Sequence, residues 1–239
     1  MGIFVKLNSL HKDKIKMKDT EENKNQQLNN EYPEPETISP FAEEPPIAYT
    51  AHRYSYADYL TWADDKMREI INGVVYLFSA PKLKHAAVIP PFMVRTWSFI
   101  RKRKGKCKIF TAPFDVRLPK NGETADDKIF DVVQPDICVV CDLSKLDENG
   151  CIGAPDLIVE VISPSTSKRD LNLKFNLYEK TGVKEYWVVY PNDKAVTVFL
   201  LQPNGNYDEG TTYDVSNRTT KAPVQTLKGL VIDLEELFE

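Results

Sequence analysis

The sequence is poor in histidine, with three in 239 residues, and it has no glycine-rich phosphate loop. A hydrolase triad built on Ser163 or Ser165 is therefore badly supplied, and cradling of a nucleotide by a P-loop is excluded. No apolar run approaches the roughly 18 to 20 residues that cross a bilayer, and Met1–Lys6 is too short for a secretory h-region. The chain is accordingly expected in the cytoplasm, with no membrane partner. Neither sign of charge dominates. Residues 1–46 hold six Lys against nine acids, and the remainder holds 25 basic against 26 acidic residues, for a formal charge of −4. Adhesion to nucleic acid through net charge alone is not expected, so such contact would need a local patch.

Cysteine is also sparse. Cys107, Cys138, Cys141 and Cys151, in a chain without an export signal, read most simply as free thiols. Cys138-Val139-Val140-Cys141 mimics half of a zinc knuckle, but thiols three apart in a strand point to opposite faces and cannot share a metal.

What is present is a mixed pattern of helix and strand. Residues 1–46, rich in Lys, Glu, Asn and Pro, read as a disordered polar arm, and residues 47–239 as the folded domain. Asn72-Gly73 between Arg68–Ile71 and Val74–Phe78 predicts a hairpin, because both turn residues tolerate positive φ. Residues 84–104 predict a helix kinked by Pro90-Pro91, with Phe92, Val94, Trp97 and Ile100 as its apolar side. Strands are expected over 107–118, 132–141 and 157–162, with a polar loop over 142–153. A helix follows over Ser165–Lys180, with an N-cap among Ser165, Thr166 and Ser167 and a stop at Gly182. A final hairpin joins 185–190 to 195–200. The order suggests an α/β domain with a central sheet.

Two core segments carry charge. Glu160 sits at the centre of Leu157-Ile158-Val159-Glu160-Val161-Ile162, a strand that reads as buried on both faces. Asp136 opens the preceding strand. If these strands are neighbours, the two carboxylates can converge, and a cation between them relieves their repulsion. All-oxygen ligation favours magnesium or manganese over zinc. In the following helix, at about 100° per residue from Leu171, Lys174 falls near 300°, inside the apolar arc with Leu177 and Tyr178. Asp170 lies in the same arc one turn earlier. A buried ammonium is costly unless paired, and Glu160, Asp136 and Asp170 are the available partners. Each residue alone also has a structural reading: an i,i+4 pair for Asp170 and Lys174, a backbone bond for Glu160, a turn cap for Asp136.

The stretches "REIINGVVY", "VVQPDICVV", "GAPDLIVEVISPSTSKRDLNLKFNLYEKTGVKEYWVV" and "KGLVIDLEELF" resemble the Uma-two family of restriction-endonuclease-like proteins over roughly residues 54–238. The resemblance implies the PD-(D/E)XK nuclease superfamily: an αβββαβ core around a mixed central sheet, with an N-terminal hairpin added here. It further implies phosphodiester hydrolysis in DNA, a Mg2+ or Mn2+ cofactor, and action as a homodimer. Carried over, Asp136 and Glu160 hold the metal and Lys174 completes the catalytic set, because Ile162 stands where the parent pattern has lysine. Glu69 and His85 match positions expected to act behind the metal, and Gln134 could hold substrate or water. Arg101, Lys102, Arg103 and Lys104 form the dense basic cluster. They could grip phosphates or simply close the preceding helix, where cations suit the dipole. The alternative implied function is an inactive descendant that binds nucleic acid or a protein.

Overall fold

The computed structural model describes residues 52–162 and 170–239, the side chains of residues 170 and 171 excepted. The arm expected over residues 1–46, the N-cap expected at residues 165–167 and the side chain of Asp170 lie outside the described residues. The expected first hairpin is present. Strands β1 (Arg68–Ile71) and β2 (Val74–Leu77) pair across Asn72 and Gly73, both at positive φ (53° and 80°).

Each of the next two expected strands is cut in two by proline. The 107–118 segment becomes β3 (Lys108–Thr111) and β4 (Val116–Arg117), parted around Pro113. Likewise 132–141 becomes β5 (Val132–Val133) and β6 (Ile137–Val140), parted around Pro135. A residue without an N–H cannot extend a ladder, so the halves go to different sheets. The loop expected over 142–153 contains a small hairpin, β7 (Leu146–Asp147) and β8 (Gly150–Ile152). One six-stranded sheet thus runs β2-β1-β5-β4-β8-β7.

A second sheet holds the longer strands: β9 (Leu157–Val161), β10 (Glu185–Tyr190), β11 (Ala195–Leu200) and β12 (Thr211–Asp214). Its order is β12-β11-β10-β9-β6-β3, with β9 parallel to β10 and antiparallel to β6. Strand β9 is therefore central and buried along its whole length, as its β-branched run predicts. One face of this sheet packs on the long helix α2 (Leu83–Lys102), which in chain order follows the one-turn helix α1 (Tyr56–Tyr59). The same core takes in strands β13 (Lys221–Val224) and β14 (Leu230–Asp233) and the closing turn α4 (Leu234–Leu237). The opposite face packs on α3 (Phe175–Thr181), entered through a wide helical turn over Asp170–Lys174 and ended by Gly182 at φ 87°.

Two expectations are overturned. Helix α2 buries Val88, Phe92, Thr96 and Ile100, whereas Val94 and Trp97 are 55% and 54% exposed. At about 100° per residue, Val94 and Trp97 lie some 200° and 140° from Phe92, so they cannot share its face. Cys107 and Cys141 are not free thiols but a disulfide, since the Lys108–Val140 register sets them opposite one another across β3 and β6. Cys138 and Cys151 are free and buried, and Cys138 belongs to the core on the other side of the sheet from Cys141.

Candidate active site

The site begins where the β6–β9 ladder ends. The last registered pairs are Cys138–Ile158 and Ile137–Val159, and the same register carried one step further sets the Asp136 backbone across from that of Glu160. Pro135 then diverts β6. The Val161 N–H, left without a partner on that strand, donates instead to Asp136 Oδ2 at 2.7 Å. The other oxygen, Oδ1, lies 2.7 Å from His85 Nε2 in the first turn of α2. Both of its oxygens being engaged, the Asp136 carboxylate is fixed in direction.

Glu160 is held from α3 and its entering turn. Lys174 Nζ donates to Glu160 Oε1 at 2.9 Å, and the Tyr178 hydroxyl donates to the same oxygen at 2.7 Å. Lys174 and Tyr178 are four residues apart, so one helical stripe delivers both donors. The ammonium also lies 2.8 Å from Glu69 Oε1, and that oxygen accepts the Gln134 N–H at 2.9 Å. Lys174 is only 2% exposed and the two glutamates 1% and 4%. Charges this deep persist only when paired, and here one cation is shared by two anions. Burial, followed by the charges of Glu160 and Glu69, pushes the Tyr178 hydroxyl well above its ordinary pKa, so it remains a donor across the physiological range.

The expected residues are thus distributed unevenly. Lys174 touches both Glu160 and Glu69; Asp136 lies one register step past the end of the β6–β9 ladder and is oriented by His85 and the Val161 N–H. Glu69 touches the ammonium itself. Gln134 supports Glu69 through its backbone, while its side-chain amide turns away to Asp115 Oδ1 (2.7 Å) and the Tyr59 hydroxyl (3.2 Å). Arg101, Lys102, Arg103 and Lys104 lie at the far end of α2, about 24 Å from His85 by helical rise. Two residues escaped the sequence reading. Tyr178 was counted as apolar, although its spacing from Lys174 marks it as a second donor on one stripe. Asp115 gave no local signal; burial holds its carboxyl above the usual range even though Gln134 and Tyr59 donate to it.

The donor chemistry suits a hard dication. Among the described residues three carboxylates (Asp136, Glu69, Glu160) and one ammonium (Lys174) gather here, an oxygen-rich donor set of the kind that magnesium or manganese takes. Among the described residues no three His, Cys, Asp or Glu side chains surround a common point. A closed protein cage is therefore not formed, but magnesium needs only one or two carboxylates, with waters and substrate phosphate completing its shell. Asp136 and Glu160 are the pair that would hold it.

Comparison with known proteins gives the family and the fold. The family model described as "Putative restriction endonuclease", Uma2, matches residues 56–235. No curated protein matches the chain. Among solved structures, a nuclease of the DUF820 group from Anabaena variabilis ATCC 29413, titled "putative", superposes with a TM-score of 0.60 at 22% identity. The match covers 77% of this chain and 97% of that one, and at this identity it speaks to the fold. With three quarters of its length inside the family model and a mixed α/β nuclease-like architecture, the chain belongs to the Uma2 family.

Proposed function

We propose that the protein is a metal-dependent endonuclease that hydrolyses phosphodiester bonds in DNA, with Mg2+ or Mn2+ held by Asp136 and Glu160. The observation that carries this reading is the buried Lys174 ammonium, fixed at 2.8 and 2.9 Å by Glu69 and Glu160, with Asp136 one register step past the end of the β6–β9 ladder. A bound dication would lower the pKa of its water and polarise a phosphoryl oxygen. The protein's own groups do the rest. His85 and the Val161 N–H aim Asp136, and Tyr178 and Lys174 aim Glu160. Lys174 offers positive charge where negative charge grows on the attacked phosphate, in a setting too dry for water to screen it. Cytoplasmic residence and a homodimer able to reach both strands belong to the same proposal. Among the described residues no helix is long and apolar enough to cross a membrane.

A second reading, a nuclease fold that binds nucleic acid or protein without cutting, draws on one observation. Every group of the cluster already has a partner inside the protein, so the arrangement could serve stability alone. Incubation of purified protein with supercoiled plasmid and Mg2+ or Mn2+ separates the two. Nicking that is abolished by chelator, by Asp136→Ala and by Lys174→Met is expected; nicking that persists in both variants, or none at all with either metal, overturns the nuclease reading.

A further inference from the structure

Helix α2 has a second apolar side that faces solvent. Leu83 is 84% exposed, Val94 55% and Trp97 54%, and Ala87 and Pro90 between them are exposed as well. Their positions, 83, 87, 90, 94 and 97, alternate steps of four and three. At about 100° per residue all five fall within an arc of roughly 80°, on the side away from Val88, Phe92, Thr96 and Ile100. The seam is about 21 Å long by helical rise. Four-three spacing is the pattern by which one helix takes the knobs of another into its holes. A DNA duplex has no use for that alternation, and an anionic bilayer, which takes such a stripe on any basic helix, is set against the helix in the test below. The small Ala87 and the ring of Pro90 at mid-seam leave room for a second backbone to come close.

Charge names the kind of helix. From residue 80 to residue 114 there are nine Lys or Arg and no Asp or Glu, in a chain whose net charge is negative. Lys84, Arg95 and Lys102 line one flank of the seam at about 100° to 120°, and Arg101 lies on its axis with its guanidinium 5.7 Å from the Trp97 ring. Beside that flank runs a groove of about 540 Å³, lined by Arg95, Ser98, Phe99, Lys102, Gly229 and Leu230. Among the described residues Arg95 pairs there with Glu236 at 3.3 Å, a bridge between two exposed side chains that is easily exchanged. A second copy of α2 would bring these cations against their own kind with no acid on either helix to relieve them.

The geometry points to the outer side of α2 as the docking site for an acidic amphipathic helix of another protein. Its apolar seam lies along Leu83–Trp97, and its carboxylates meet Lys84, Arg95 and Lys102.

The test uses the full chain and two fluorescein-labelled synthetic helices of about 18 residues, the length that spans the seam with a turn to spare. Both carry leucine at four-three spacing; one has glutamate on its flanks and its twin has lysine. Saturable binding of the glutamate helix is expected, at least tenfold tighter than its twin, and weakened at least tenfold by Trp97→Ala or Val94→Ser. Because both side chains are exposed, the melting temperatures of these variants should match the parent, which separates lost docking from lost fold. Equal binding of the twins, absence of saturable binding, or indifference to both substitutions would overturn the assignment. So would tighter capture of a DNA duplex or of phosphatidylglycerol vesicles through the same residues, or a dimer in sedimentation that Trp97→Ala abolishes.

Discussion

Helices α3 and α2 pack on opposite faces of the same sheet, and each inverts the usual rule. The stripe leading into α3 sends an ammonium inward; α2 sends leucine, valine and tryptophan outward. The two inversions are resolved differently. Lys174 finds Glu69 and Glu160 within the fold, so its burial is explained by the molecule itself. The outer side of α2 meets no such counterpart among the described residues, and the docking helix proposed above is the account offered for it. The inward charge is the ground of the proposed chemistry, and the outward apolar seam the ground of the proposed association.

This contrast can be broken at several strengths. The largest effects belong to the interior. Lys174→Ala takes away the ammonium that two buried carboxylates share and should cost about 3–5 kcal/mol in urea unfolding. Phe92→Ala, which empties the edge-on packing against Trp187 at 5.5 Å, should cost about as much, roughly 3–5 kcal/mol. Tyr178→Phe removes one hydrogen bond to a charged oxygen while keeping the ring, and a loss of about 1.5–3 kcal/mol is expected. Asp115 acts through pH. Its folded carboxyl is raised, so its contribution is fully present below about pH 4 and is lost as pH rises through the folded value. Asp115→Asn should therefore flatten the stability profile across that window. The smallest effect, within about 0.5 kcal/mol, is expected for Trp97→Ala, although tryptophan is the largest side chain on α2. A large loss there would mean that the outer seam is part of the core after all.

Much of this was legible in the sequence, and the failures have physical causes. The Asn72-Gly73 hairpin, the central strand at 157–161 and the stop at Gly182 were readable because each rests on a local rule. The inward angle of Lys174 was readable because helical period is local too. The split of the segments around Pro113 and Pro135 was not, since proline tells where a ladder ends and not which sheet the chain joins next. The Cys107–Cys141 bond depends on strand register, which a motif cannot give. On α2, apolar residues around most of the circumference conceal which side is buried. Val94 and Trp97 were assigned to the core for that reason. Asp115 and Gln134 find each other only through the meeting of two strand ends, and although Gln134 lies in a recognisable stretch, Asp115 lies in none.

The claim at the centre is that the paired carboxylates beside Lys174 form a divalent-cation site. Calorimetric titration of the full chain with Mn2+ tests it most directly, with Asp136→Asn as the comparison. One saturable Mn2+ per chain is expected, weakened at least tenfold by Asp136→Asn, while the variant's melting temperature in the absence of metal confirms that it is folded. Failure of the parent chain to bind Mn2+, or identical binding by parent and variant, would contradict the account.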